Sequence, residues 1–376
     1  MAGVVNVCAG GARQIQKLRG ARFAVLAVSL FAVGLTNAAT VAAAPSAKPN
    51  TASSDVRSID VMARPLSGFD KLNASKKDFG RLEWIGGVVL SSNDSRFGGW
   101  SGLALEADGS RLVAVSDAGT WMTADIAYRD GRPSGLVRAR LGPLKARDGG
   151  PLKRDRDRDA EAVALMRGTL ERGQLLISFE QNHRLGVFDI NKGSVSPPLR
   201  YLAVPKEARR MRALKGFEAV AIVQSGRFKG ATIAIAEHLL DRAGHHSGWI
   251  MSGGRVLRFA LTDIGGFDPT DAVGLANGDV VLLERRFRWT EGVKMRMRLI
   301  RSGEIASGAV IKGEVLLEAN MAQEIDNMEA ISAHRARDGS TVLTVMSDDN
   351  FNSFLQRTLL LQFRLKDEDV AKRVTR

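Results

Sequence analysis

Cysteine is all but missing from this chain: Cys8 is the only one among 376 residues. A single thiol excludes an internal disulfide framework and a cysteine-based metal site. Residues 1–44 read as a secretory signal, with Arg13, Lys17, Arg19 and Arg22 as the basic start, residues 23–35 as the apolar stretch and Ala42-Ala-Ala44 as the small-residue cleavage site. Cys8 falls inside that segment, ahead of the apolar stretch and on the wrong side for a lipid anchor, so the mature chain is expected to stand on packing alone. Long apolar runs are also lacking. The stretch at 23–35 is shorter than the roughly 20 residues a spanning helix needs, and no later segment comes closer, which excludes a stable membrane helix. Aromatics make up only 6%, and the densest basic knot, Arg209, Arg210 and Arg212, has none between its residues, which argues against nucleic-acid binding. There is no Gly-x-Ser-x-Gly elbow, because Gly99-Trp-Ser-Gly-Leu103 breaks the pattern, and no phosphate-cradling loop, dinucleotide fingerprint or His-Glu-x-x-His.

At 44% hydrophobic residues the chain can bury a full core. The formal charge of +13 falls to +9 once the four basic residues of the signal are removed. Scattered basic charge favours a small anionic partner such as a phosphate ester. A periplasmic or secreted monomer is expected.

One short pattern returns five times, as Ser101-Gly-Leu-Ala-Leu105, Glu161-Ala-Val-Ala-Leu165, Glu218-Ala-Val-Ala-Ile222, Asp271-Ala-Val-Gly-Leu275 and Glu329-Ala-Ile-Ser-Ala333. Successive copies begin about 53 to 60 residues apart, a period that signals a repeat architecture. From Phe79 onward short apolar runs alternate with Gly, Asp and Asn turns and no helical spacing is sustained, so each repeat reads as four strands. In the second repeat these are residues 160–166, 174–180, 185–190 and 199–204. Four antiparallel strands repeated around an axis make an all-β fold, a β-propeller of five blades, or six if two repeats have been merged. A pair of β-sandwiches would not repeat at this period. The last repeat runs out of chain after its third strand, Thr358–Leu365, and residues 82–90 are expected to supply the fourth and close the ring. The domain boundaries that follow are a signal at 1–44, a linker at 45–78, the propeller at 79–366 and a charged tail at 367–376.

In every repeat a second apolar run follows the first and ends on an acid: Asp117, Glu180, Glu237, Glu284 and Asp348. The start of the innermost strand lies beside the end of its antiparallel neighbour, so both sets of acids should meet on one face. Like charges brought that close require a cation among them, either an arginine or a metal ion. The donor set is all oxygen and suits a hard divalent cation, Ca²⁺ in preference to Mg²⁺. Metal-binding candidates are Asp117, Glu161, Glu218, Asp271, Glu284, Glu329, Asp348 and Asp349; Glu180 and Glu237 are the candidate general bases. His183, Arg184, Arg285 and Arg286 follow the second strands of their blades and are candidate substrate-binding residues. The competing reading is that these carboxylates staple the blades by accepting backbone N–H groups. His245-His246 reads as a solvated loop, residues 153–159 as a solvated loop or lid, and Trp100, Trp121 and Trp249 as packing.

Gly98-Gly-Trp-Ser-Gly-Leu103, Asp108-Gly-Ser-Arg-Leu-Val-Ala-Val-Ser-Asp-Ala-Gly119, Gly216-Phe-Glu-Ala219, Leu283-Glu-Arg-Arg286, Ser347-Asp-Asp-Asn-Phe351 and Gln356-Arg-Thr-Leu-Leu-Leu361 together resemble the phytase-like family, which is described as having esterase-like activity. The resemblance covers residues 79–365. It implies a secreted bacterial propeller acting on phosphate esters, with acidic positions at Asp117, Glu161, Glu180, Glu218, Glu237, Asp271, Glu284, Glu329, Asp348 and Asp349. Ala118 stands where an Arg is frequent in the family. The reading that follows is a metal-assisted ester hydrolase, and the alternative is a propeller that binds a ligand or protein without catalysis.

Overall fold

The computed structural model describes residues 56–211 and 216–366. The expected signal, the first part of the linker, Arg212 and the charged tail lie outside the described residues.

Five sheets, antiparallel except where Val310–Ile311 joins Arg255–Leu261 in parallel, each begin on one copy of the repeated pattern. Their innermost strands are Trp100–Leu105, Ala160–Gly168, Phe217–Ile222, Asp268–Gly274 and Asn327–Arg335. Each innermost strand packs against the next, and the last packs against the first, so the strands surround a common axis. This is a five-bladed β-propeller. The last blade carries Leu82–Ser91 as its fourth strand, paired antiparallel with Thr358–Leu365 in a register that runs from Thr358 opposite Leu90 to Leu365 opposite Leu82.

The core is divided in the same way. Five apolar clusters lie one between each pair of adjacent blades; Val88, Leu90 and Leu360 of the last blade meet Trp100, Leu103 and Leu141 of the first. Because each sheet is covered on both faces, its strands are apolar on both faces, as in Val113-Ala-Val115 with no exposure at all. Trp100, Trp121 and Trp249 are buried in these clusters, as expected.

Two expectations need correction. The outer strand of the second blade is Ser194–Tyr201, which starts five residues before the expected 199. Lys192 and Gly193 both have positive φ, 49° and 66°, and Asn191 pairs with Ser194, so the chain reverses in a two-residue turn. The linker is the second correction. Residues 56–78 do not hang free: Arg57–Ser58 joins the first blade and Met62–Pro65 joins the last. Phe69 is completely buried, stacked on Trp84 at 5.4 Å and edge-on to Phe79 and Phe363. A single aromatic in a polar stretch gives no periodicity from which to foresee that anchor. Phe69→Ala is expected to destabilise the protein by about 3–5 kcal/mol in urea unfolding, the usual cost of emptying a buried aromatic site. A loss under about 1 kcal/mol would show that the segment is dispensable.

Candidate metal and active site

Every innermost strand carries a bulge near its start. The register skips Ser101, Glu218, Thr270 and Glu329 in four blades and falls at Glu161-Ala162 in the second. A bulge leaves a residue out of the ladder and re-aims its side chain, and here it does so at the same place around the axis. On the second strand, the residue one step past the pair that bounds the bulge is Asp117, Glu180, Glu237 or Asp348 in four blades.

The fourth blade is one residue out of step. Pro269 pairs with Glu284 and Asp268 with Arg285, so Thr270 and Arg285 occupy the places held by acids elsewhere. Asp271 and Glu284, expected among the metal-binding acids, therefore project from the opposite side of the strands. Asp271 has no exposure and accepts N–H bonds from Ala272 at 2.8 Å and from Ile331 of the next blade at 2.9 Å. Glu284 is equally buried, paired with Arg298 at 2.5 Å and with Arg296 at 3.9 Å. The stapling reading holds for these two. It also describes Asp349, whose oxygens accept from the Gly99 and Phe351 N–H groups and from the Thr358 hydroxyl.

The remaining acids converge. Asp159, Glu161 and Glu180 form one triad and Glu180, Glu218 and Glu237 another, each with ligand oxygens within 4.8 Å of one another, so Glu180 is common to both. Glu180, Glu218 and Glu237 are all buried. Burial, aided by the charge of Asp159 and Glu237, lifts Glu180 from 4.5 to about 7 even though Glu218 and the Gly216 N–H hydrogen-bond to it. Burial first and neighbouring carboxylates second push Glu161, Glu218 and Asp348 well above the carboxylate range. The direct Glu180–Glu218 bond requires a proton between the two.

Arg285 is the cation that the out-of-step blade places among these acids. It pairs with Glu329 at 3.2 Å and donates to the Asn327 side chain at 2.6 Å. Burial works against its charge, yet Glu329, Glu237, Glu218 and Asp348 together raise its pKa. His183 lies beside Glu180: a side chain added at Gly216 would meet Glu180 Cγ at 2.9 Å and His183 Nδ1 at 3.0 Å. The other two expected substrate residues are occupied elsewhere. Arg184 lies over the Phe179 ring at 3.8 Å and donates to the Asn182 and Asp157 carbonyls. Arg286, one residue from Arg285 and so on the other strand face, donates to the Gly265 carbonyl and to Glu291.

Sequence reasoning missed Asp159, Gly216 and Asn327. All three stand two residues before the bulge acid of their blade, as Gly99 does before Ser101, and that fixed offset was the available signal. Gly99 has φ 66°, and an added Cβ would lie 2.4 Å from Asp117 Oδ1, so only glycine fits there. The residues 153–159 segment includes a short helix, Asp155–Arg158, exposed in its first half and half-buried in its second, and ends in the buried Asp159. His246 is not solvated, because it lies within a strand; its Nδ1–H donates to the Glu237 carbonyl at 2.7 Å, and only His245, beside Asp241, lies in the turn.

Buried, mutually repelling carboxylates with Arg285 beside them, and no thiol among the described residues, form a donor set that fits a hard divalent cation. No helix among the described residues is long and apolar enough to cross a membrane. No curated protein matches the chain. A family model described as phytase-like, esterase-like activity of phytase, matches residues 95–351, and the chain therefore belongs to the phytase-like family.

Proposed function

We propose that this protein is an exported, periplasmic or secreted, hydrolase that cleaves a phosphate ester or related ester at the acidic end of its channel. The observation that carries the reading is Glu180, which is shared by two carboxylate triads and buried with a pKa near neutrality. Asp159, Glu161 and Glu218, with whichever of Glu180 and Glu237 does not act as the base, would hold a divalent cation, Ca²⁺ ahead of Mg²⁺, with Asp117, Glu329 and Asp348 around them. Bound there, the ion supplies Lewis acidity and neutralises the developing charge on the ester.

The chain's own groups do the rest. Arg285 and His183 bind and orient the substrate anion, Arg285 through the guanidinium edge left beyond Glu329 and Asn327. Glu180 or Glu237 takes the proton of the attacking water, and a pKa close to the working pH is what a general base needs. His246 positions Glu237 through its backbone carbonyl.

The purified chain supplied with Ca²⁺ is expected to hydrolyse members of a phosphomonoester, phosphodiester and carboxylic-ester panel and to lose the activity in chelator. Glu180→Gln and Glu237→Gln should each lower kcat about a hundredfold or more, the usual share of a general base, while circular dichroism stays unchanged. If no ester in the panel is turned over, or both variants stay fully active, the non-catalytic binding propeller replaces this reading.

A further inference from the structure

The two carboxylate triads lie at one end of the channel. At the other end, where the innermost strands finish, all five blades enclose a cavity of about 490 Å³. Leu105, Leu165, Ile222, Leu275 and Ile331 line it, one from each blade. Innermost strands are the most enclosed part of a propeller, yet Ala164, Leu165, Val273 and Ala333 are partly exposed, because the cavity opens beside them. Its volume lies within the range of small-molecule sites.

The charge of this end is the reverse of the other. Arg167 and Arg335, both exposed, are among the described lining residues, which include no Asp or Glu; His334 also lines it, but burial disfavours its charge in spite of Asp108 nearby. Arg335 spends one nitrogen on the Gly339 carbonyl and keeps the rest of its guanidinium for another partner. Glu106, the nearest acid in sequence to this end of the first blade's inner strand, is already bonded to the Leu170 N–H at 2.7 Å. The lining exposes polar and apolar surface in about equal parts, and a funnel of that kind with two arginines at its rim matches a molecule with an apolar chain and an anionic head.

We propose that this end of the channel is a second binding site, separate from the acidic one, which takes an amphiphilic carboxylate: a medium-chain acyl anion with its chain along the axis and its head on Arg167 and Arg335. The site is independent of the hydrolase reading.

Isothermal titration of the full chain with hexanoate, octanoate and decanoate tests it. Affinity should rise about fourfold for each added methylene until the cavity is full. Replacing the head group with that of decanol, or making Arg167→Ala/Arg335→Ala, should weaken binding about tenfold. Ala164→Phe should abolish binding by filling the funnel, and Ala333→Met serves the same purpose if that variant fails to fold. Four results would overturn the proposal: no binding of any chain at millimolar concentration, an affinity indifferent to chain length, binding unchanged in a folded cavity-filling variant, and binding that vanishes with chelator, which would place the carboxylate at the acidic end.

Discussion

Chelator-stripped protein is expected to lose stability as the pH is raised from about 5 to about 8, and millimolar Ca²⁺ to restore it. Glu180 passes from 4.5 to about 7 on folding, so between those values the folded state binds the proton that the unfolded chain has released. Stability from such a group is fully present below about 4.5 and is lost as the pH rises through about 7. For Glu180 alone the loss is about 3 kcal/mol, because each tenfold change in proton affinity is worth about 1.4 kcal/mol. Glu161, Glu218 and Asp348 are displaced in the same direction and add to it. Glu284, also lifted to about 7, contributes to the fall but lies outside the ring, so a cation does not recover its share. Melting temperatures followed across this pH range with and without metal give the answer. The metal stabilises by mass action, about 2.7 kcal/mol at a hundredfold excess over Kd. A flat or rising profile in chelator, together with no response to Ca²⁺, would remove the cation from the acidic ring.

The second large effect is expected at Glu284, whose removal leaves Arg298 charged and buried. Arg298 has no exposure, donates to the Thr262 and Lys312 carbonyls at 2.9 and 2.8 Å, and pairs with Glu284. Breaking one side of a buried pair costs about 3–5 kcal/mol, mostly the penalty of the charge left behind. Glu284→Leu should therefore lower stability by that amount at about pH 8, where the carboxyl is ionised, with Glu284→Gln intermediate because the amide oxygen still accepts from Arg298. Urea unfolding monitored by tryptophan fluorescence provides the measurement. A loss of less than about 1 kcal/mol in Glu284→Leu would mean that the pair is no buried staple. The same experiment separates Glu284 from the ring, since neither variant should alter the response to Ca²⁺.

The fourth blade shows where reading the sequence reached its limit. Aligning the five copies placed Asp271 with Glu161, Glu218 and Glu329, and the apolar residues that follow agree with this alignment. Strand side chains alternate, so a register difference of one residue sends every side chain to the other face. The bulge in the fourth blade falls at Thr270 instead of Asp271. A bulge is a choice the backbone makes against its neighbour, and it leaves no mark in the spacing of one strand. It turned two expected metal ligands into staples and brought Arg285 into the ring. Arg286 lies on the strand face opposite that of Arg285 for the same reason of alternation.

Blade count, strand order and the end of the channel at which the acids gather were all legible in the chain, because an apolar pattern repeated five times survives every local irregularity. That His183, Arg285, Glu180 and Glu237 follow or end second strands was legible too, and so was their place near the axis. Packing of the blades was needed to settle which acids share space, that Glu180 belongs to two triads, that Phe69 anchors the lead-in segment, and that the far end of the channel holds a cavity with two arginines among its lining residues. Those features depend on how five sheets are arranged around one axis, and contacts between residues 60 to 250 positions apart carry no local signature in the chain.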